Sequence, residues 1–346
     1  MADRVSAFVH PQLHMRLDQC ADVVESPAGV SVALPFPARR FGPRLASDIA
    51  AWSGRARQTV SVTWDVHARA VRRGLRPLDG IANTIAVASA KGGVGKSTTA
   101  ANLALALSEE GARCGLLDAD IYGPSLPVLM GLRDQQPESA DGQHVKPLRA
   151  HGVICMSIGF LVDSEQPMVW RGPMVTQALR QLIGNTQWGE LDYLVIDLPP
   201  GTGDIQLTLA QKVPLTGAVI VTTPQDMALQ DARRGVMMFE KVGVPVLGVV
   251  ENMATHVCAQ CGHEDAIFGQ GGAEALAARF DVPVLASLPL HRRLREQADG
   301  GRPTVASEPD GELASRYLGL ACGVGARMAM LTRETRLPYP EIVVED

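Results

Sequence analysis

Three short stretches hold side chains whose types and spacing suit chemistry. The first is ASAKGGVGKSTTAANLALAL, from Ala88 to Leu107. It follows the phosphate-loop pattern G-x-x-x-x-G-K-[ST], with Ala90 at the first glycine position and an extra lysine, Lys91, after it. Gly92, Gly93 and Gly95, around Val94, let the backbone approach phosphate oxygens and turn its N–H groups inward. Lys96 is placed for the β- and γ-phosphates, the Ser97 hydroxyl for Mg²⁺ and Thr98 for the α-phosphate. A glycine-rich turn that binds nothing is the plainer alternative. Three glycines, a lysine and a hydroxyl in order, between an apolar run and a helical stretch, outweigh it. Lys91 alone reads as an exposed loop lysine.

The second group is acidic. LLDADIYGPS places Asp118 and Asp120 after an apolar run, and YLVIDLPPGTGD places Asp197 after another. A Mg–nucleotide site needs a carboxylate at a strand end. Asp197 suits metal holding, Asp120 suits orienting the attacking water, and the PPGTGD turn suits a switch that senses the γ-phosphate. Isolated strand-end aspartates are often turn or cap residues, so the choice between Asp118 and Asp120 stays open at this level.

The third stretch, GVVENMATHVCAQCGHEDAIFG, sets Cys258 and Cys261 at ligand spacing, flanked by His256 and His263. One CxxC supplies two soft ligands, whereas tetrahedral zinc or a cubane cluster needs four. Closing the site with both histidines would crowd four ligands into eight residues, and the chain has no second CxxC. Two copies meeting on a twofold axis would give Cys₄. A redox CxxC prefers a helix start, and Gly262 and HED follow here instead. Thiolates suit zinc and iron–sulfur alike. Cys20, Cys114, Cys155 and Cys322 read as small buried apolar residues.

These residues need a scaffold that brings strand ends together. From Ile85 onward, short apolar runs (IAVASA, CGLLDAD, YLVIDLPP, GAVIVTTP, VPVLGVVEN) alternate with helical stretches such as Ser97–Gly111. That pattern predicts an α/β fold: a P-loop NTPase with a mostly parallel sheet covered by helices on both faces, binding ligands at the carboxyl ends of its strands. Before it, residues 1–80 read as a small α+β domain, with strands at Val30–Phe36 and Thr59–Val66, a helix at Arg44–Trp52, and LDGIAN (Leu78–Asn83) as junction. Residues 81–335 form the ATPase domain and 336–346 an extended acidic tail. RGVMMFEKV, from Arg234, reads as core or dimer contact, and His291–Arg293 as a solvated charge run.

The chain has 346 residues, 46% of them apolar, and a net charge of −5. The charge argues against coating nucleic acid, and no run approaches the roughly 18 apolar residues of a membrane span. MADRVSAFVHPQ lacks the apolar region of a signal peptide. The expected location is the cytoplasm.

KGGVGKS resembles the deviant phosphate loop of the MinD/ParA/nitrogenase-iron-protein class. The residue before the first lysine varies there, so Ala90 is no defect, and the resemblance implies that Lys91 reaches the nucleotide of an opposed subunit. KGGVGKSTTAANLALAL, LLDADIYGPSLP, MVWRGPM (Met168–Met174), DYLVIDLPPGTGDIQLTLAQ, VTTPQDMALQDARRG, VPVLGVVENM and CxxCG…IFG occur in order, from about Ile81 to about Pro309. Together they look like the Mrp/ApbC family of iron–sulfur cluster carrier ATPases. The resemblance implies an ATP- and Mg²⁺-binding homodimer with slow hydrolysis. It implies a labile [4Fe–4S] cluster bridged by Cys258 and Cys261, passed to apo iron–sulfur proteins with help from cluster-assembly factors, and no nucleic-acid or membrane partner. It assigns Lys91, Lys96, Ser97, Thr98, Asp120 and Asp197 to the nucleotide site and sets Asn252 near the adenine. Residues 1–80, with HPQL at His10–Leu13, weakly resemble a small iron–sulfur assembly domain.

Two alternatives are weighed. A MinD/ParA-type positioning ATPase with a structural zinc site calls for a membrane helix or a basic DNA surface, which the acidic tail and net charge disfavour. A nitrogenase-iron-protein-like electron donor carries its cysteines singly.

Overall fold

The computed structural model describes residues 5–72, 74–139, 141–161, 172–258 and 260–332. Met168–Arg171 of the MVWRGPM block and the acidic tail lie outside them. Among the described residues, nine strands form one sheet. Its order from one edge is Glu264–Asp265, Val246–Val257, Gly217–Thr222, Ile81–Ala88, Leu191–Asp197, Cys114–Asp118, Val153–Ser157 and Leu148–Ala150, and Val284–Leu290 also pairs with Val246–Val257. All pairings are parallel except the two outermost, Glu264–Asp265 with Val246–Val257 and Leu148–Ala150 with Val153–Ser157.

Burial explains this arrangement. Strand side chains alternate between faces, yet Cys114–Asp118 and Gly217–Thr222 are buried at every position and Leu191–Asp197 at all but one. Both faces must therefore be covered, as continuous apolar runs require. The helix Lys96–Glu109, which follows the central strand, buries ten of its residues.

The LDGIAN segment is not all junction, because the central strand begins at Ile81. Asn83 and Thr84 look like linker residues but are buried. Their polar groups are satisfied inside: Asn83 Nδ2 donates to the carbonyls of His67 and Asp192, at 3.2 Å each, and the Thr84 N–H donates to Thr216 Oγ1 at 3.0 Å. Buried polar groups with partners cost little.

The leading residues make a separate three-stranded sheet. Asp22–Ser26 and Gly29–Leu34 pair antiparallel, and Gly29–Leu34 and Val60–Trp64 pair parallel. The helix Phe41–Ser53 is the crossover and buries Phe41, Leu45, Ala46 and Ile49. This apolar cluster is completed by Cys322 and Ala326 of the C-terminal helix Glu312–Ala329. A core this small supplies only about 3–5 kcal/mol, so docking contributes to its stability. A polar seam fixes the contact. The buried Glu110 carboxylate accepts the N–H groups of Arg40 (2.8 Å) and Phe41 (3.0 Å) at the start of the small helix. Arg39, Arg69 and Arg72 donate to carbonyls at helix ends: Glu109, Leu331, and both Gln211 and Val242. Cations are favoured at helix C-termini.

Candidate functional site

The phosphate loop is the turn between the strand Ile81–Ala88 and the helix Lys96–Glu109. Gly93 and Gly95 take φ of 80° and 81°, which glycine adopts without the Cβ penalty. Lys91, Gly92 and Gly93 are exposed, Val94 and Lys96 are buried, and Ala90, Gly95, Ser97 and Thr98 are half-buried.

Lys96 is the centre of the charge. Its ammonium, 6% exposed, lies 2.5 Å from Asp197 Oδ1, 3.3 Å from Ser97 Oγ and 3.9 Å from Asp120 Oδ2. Sheet register makes this possible, because Asp197 lies beside Val87 on one flank and Asp118 on the other. Burial pushes the Asp197 and Asp120 carboxyls up, and the Lys96 charge opposes the rise in both. A hydroxyl and two carboxylates around one ammonium form a hard-oxygen donor set that fits Mg²⁺ with a polyphosphate.

The two aspartates left open by the sequence separate clearly. Asp120 faces Lys96. Asp118 is fully buried and turned to hold the following loop. It accepts the N–H groups of Asp120 (3.0 Å), Ser125 (2.9 Å) and Leu126 (3.0 Å) and the Ser157 hydroxyl (3.1 Å). Burial pushes its carboxyl from 3.8 up to about 7; the Asp197 charge adds to the rise and the Leu126 and Asp120 N–H groups partly offset it. A carboxyl raised on folding favours the fold fully below 3.8 and loses that contribution as pH climbs through about 7. Denaturant midpoints of the wild type are expected to fall across that window, and the fall to flatten in Asp118→Asn. An equal slope in the variant refutes this role.

The PPGTGD turn lies against the phosphate loop. The Gly201 N–H donates to the Ser89 carbonyl and the Ser89 hydroxyl to the Lys91 carbonyl, both at 2.9 Å. Asp120, Tyr122, Pro199, Pro200, Gly203 and Asp204 line a cavity of about 430 Å³ beside it.

The cysteine pair sits on a hairpin. Val246–Val257 continues beyond the body of the sheet and turns back through Glu264–Asp265. The Cys258 N–H donates to the His263 carbonyl and the Gly262 N–H to the Cys258 carbonyl, both at 2.9 Å. Cys258 is half-buried, Cys261 exposed, and both are free thiols. Hydrogen bonding from the Cys261 backbone N–H lowers the Cys258 pKa, which favours the thiolate that binds metals. Among the described residues, no three His, Cys, Asp or Glu side chains come together to hold a metal ion, so His256 and His263 do not complete the set. Cys20, Cys114, Cys155 and Cys322 are buried, and burial is the main cause that pushes the Cys20 and Cys155 thiols up to about 12, helped at Cys20 by the Asp18 charge.

The structure adds contacts that spacing did not show. Asn252 Nδ2 donates to the Val94 carbonyl at 2.8 Å, bracing the phosphate loop. Its sequence signal was a polar residue at the end of the VPVLGVVEN run. Glu264 at the hairpin base accepts the Thr255 hydroxyl at 3.2 Å and lies 3.8 Å from Arg316. In the RGVMMFEKV stretch Met238 is buried while Met237 is 51% exposed. His291 caps its helix, accepting the Arg293 N–H at 3.1 Å. Among the described residues no helix is long and apolar enough to cross a membrane.

Comparison with known proteins agrees with this arrangement. The ParA family model, described as NUBPL iron-transfer P-loop NTPase, matches residues 80–324. An iron-sulfur cluster carrier protein of Haemophilus influenzae is 60% identical over 242 residues, covering 70% of this chain and 65% of that protein. This chain thus spans about two thirds of that relative's length. The iron-sulfur cluster transfer protein NUBPL of Mus musculus is 51% identical over 255 residues, covering 73% of this chain and 80% of that one. The solved nucleotide-binding protein of Archaeoglobus fulgidus in complex with ADP superposes with a TM-score of 0.60 at 39% identity, covering 68% of this chain and 91% of that chain. The cell division ATPase MinD of Pyrococcus furiosus, at 22% identity and a TM-score of 0.52, shares the fold. On these matches the chain belongs to the iron–sulfur cluster carrier family, within the ParA/MinD-like P-loop NTPases.

Proposed function

We propose that this chain is an ATP-dependent iron–sulfur cluster carrier that works as a homodimer in the cytoplasm. The loop from Ala90 to Thr98 wraps the phosphates with its N–H groups, and Lys96 neutralises their charge. Ser97 and Asp197 would hold Mg²⁺, which supplies further positive charge to the phosphates. Asp120 orients the water that attacks the γ-phosphate, giving ADP and phosphate. Lys91 projects from the loop toward the triphosphate of the partner copy. The cargo is a [4Fe–4S] cluster held by Cys258 and Cys261 of both copies and handed to apo iron–sulfur proteins, with cluster-assembly factors supplying it. Asn252 belongs to the nucleotide site as the brace of its loop. We divide the chain into an assembly-type domain at 1–80, the ATPase at 81–335 and a tail, with neither nucleic acid nor membrane as partner.

One observation carries this reading. Among the described residues the hairpin offers two accessible thiols and no third ligand, at the carboxyl edge where the phosphate loop also lies. Half a metal cradle per chain calls for a second chain. Anaerobic reconstitution with iron and sulfide tests it. The expected product is a dimer with about four irons per pair, as a cubane held by four thiolates requires, and visible absorption. A monomer that binds stoichiometric zinc and gains no chromophore would overturn the reading.

A further inference from the structure

The strand Val246–Val257 touches both candidate sites. Gly217–Thr222 pairs with it from Val246 to Glu251, and from Val249 to Glu251 Val284–Leu290 holds it on the other side too. Pairing then lapses. Asn252 pairs with Leu288, and the next pair is His256 with Leu290, so three residues bulge out opposite one. Inside the bulge Met253 takes φ of 57°, a left-handed conformation that a long side chain seldom adopts. Bulges of this kind redirect a strand and cluster near functional sites.

The bulge starts where the strand grips the phosphate loop. The Asn252 amide that donates to the Val94 carbonyl is packed so closely that a Cβ on Gly95 would lie 2.1 Å from its nitrogen. The peptide it holds includes the Gly95 N–H, one of the amides assigned above to phosphate. Cys258 follows six residues later, roughly 20 Å of extended chain at most. The far side of the hairpin is tied to the C-terminal helix through Glu264 and Arg316, and Arg316 also donates to the Ser287 carbonyl at 3.2 Å.

We propose that Asn252 is a positioning residue that couples the phosphate loop to the thiol hairpin, with the left-handed bulge at Met253 as the joint. The inference rests on the carrier reading. Phosphate that turns the Val94–Gly95 peptide draws Asn252 with it. The sheet holds the strand upstream, so the displacement passes downstream through the bulge and changes how Cys258 is presented. Linkage makes the effect mutual: a loaded cluster must alter nucleotide affinity by the factor with which nucleotide alters cluster affinity.

The test measures the Kd of ADP on the full-length dimer with and without a reconstituted cluster. The ratio of the two values is expected to be about 5-fold or more in the wild type, the scale of an allosteric coupling. In Asn252→Ala it should fall to near 1, while iron content and visible absorption stay at the wild-type level. Any overall weakening of ADP binding cancels in the ratio. Met253→Gly leaves the contact with the phosphate loop in place and should lower the ratio too. A wild-type ratio of 1, or a ratio unchanged in both variants, overturns the coupling role and leaves the carrier reading standing. A wild type that takes up no cluster removes the carrier reading, and the relay with it.

Discussion

Cys258→Ala is expected to lose the iron–sulfur chromophore outright. Each chain brings two thiols, and the described residues around them offer no replacement ligand. Disturbing groups merely adjacent to metal ligands costs about 10–100-fold in affinity, so deleting a ligand should cost more. The pair would retain two thiolates for a cluster that needs four. Misfolding is not the cause to expect, because Cys258 is half-buried on a hairpin tip and outside both hydrophobic clusters. Circular dichroism and ADP binding should therefore match the wild type. The measurement is iron, sulfide and visible absorption per dimer after anaerobic reconstitution. Wild-type loading in the variant would show that the cluster sits elsewhere.

Lys91→Ala should abolish hydrolysis while leaving nucleotide binding nearly intact. Lys96 already occupies the centre of the site, paired with Asp197, whereas Lys91 is exposed at the loop's outer edge. A cation delivered to a transferring phosphoryl group from a partner is worth about 10³–10⁵ in kcat. Mixing variants tells whether it acts across the dimer. Lys91→Ala and Lys96→Ala should each be inactive alone. In a mixed dimer, the Lys91→Ala copy keeps its own Lys96 and receives the partner's Lys91, so one complete site re-forms. Recovery of hydrolysis on mixing is the expected result. If both lysines served their own chain, no mixture would recover.

Local spacing made the chemistry legible, because a phosphate loop and a CxxC are defined by neighbours in sequence. The apolar runs were legible for a similar reason: a strand buried on both faces has little freedom in composition. What escaped depended on where side chains turn. Asp118 and Asp120 look alike as strand-end acids, yet one accepts four internal hydrogen bonds and the other faces Lys96. Asn83 and Thr84 look like linker, but partners distant in the chain satisfy them inside the sheet. Asn252 marked a strand end in the sequence, and only the fold shows it against Val94. Met237 and Met238 are adjacent in sequence and opposite in exposure. Cys322 was legible as a buried thiol, but not as part of a helix shared by two cores, in which it faces the core of the leading residues.

That sharing limits how the architecture can be cut. Cys322 and Ala326 face the leading residues, so a homologue that begins at the counterpart of Ile81 would leave this part of its last helix bare to water. Such a homologue should carry hydrophilic side chains at those two positions, or hide them beneath some other body. The contact between the two pieces is thus written twice, once in the leading segment and once in the helix that covers it.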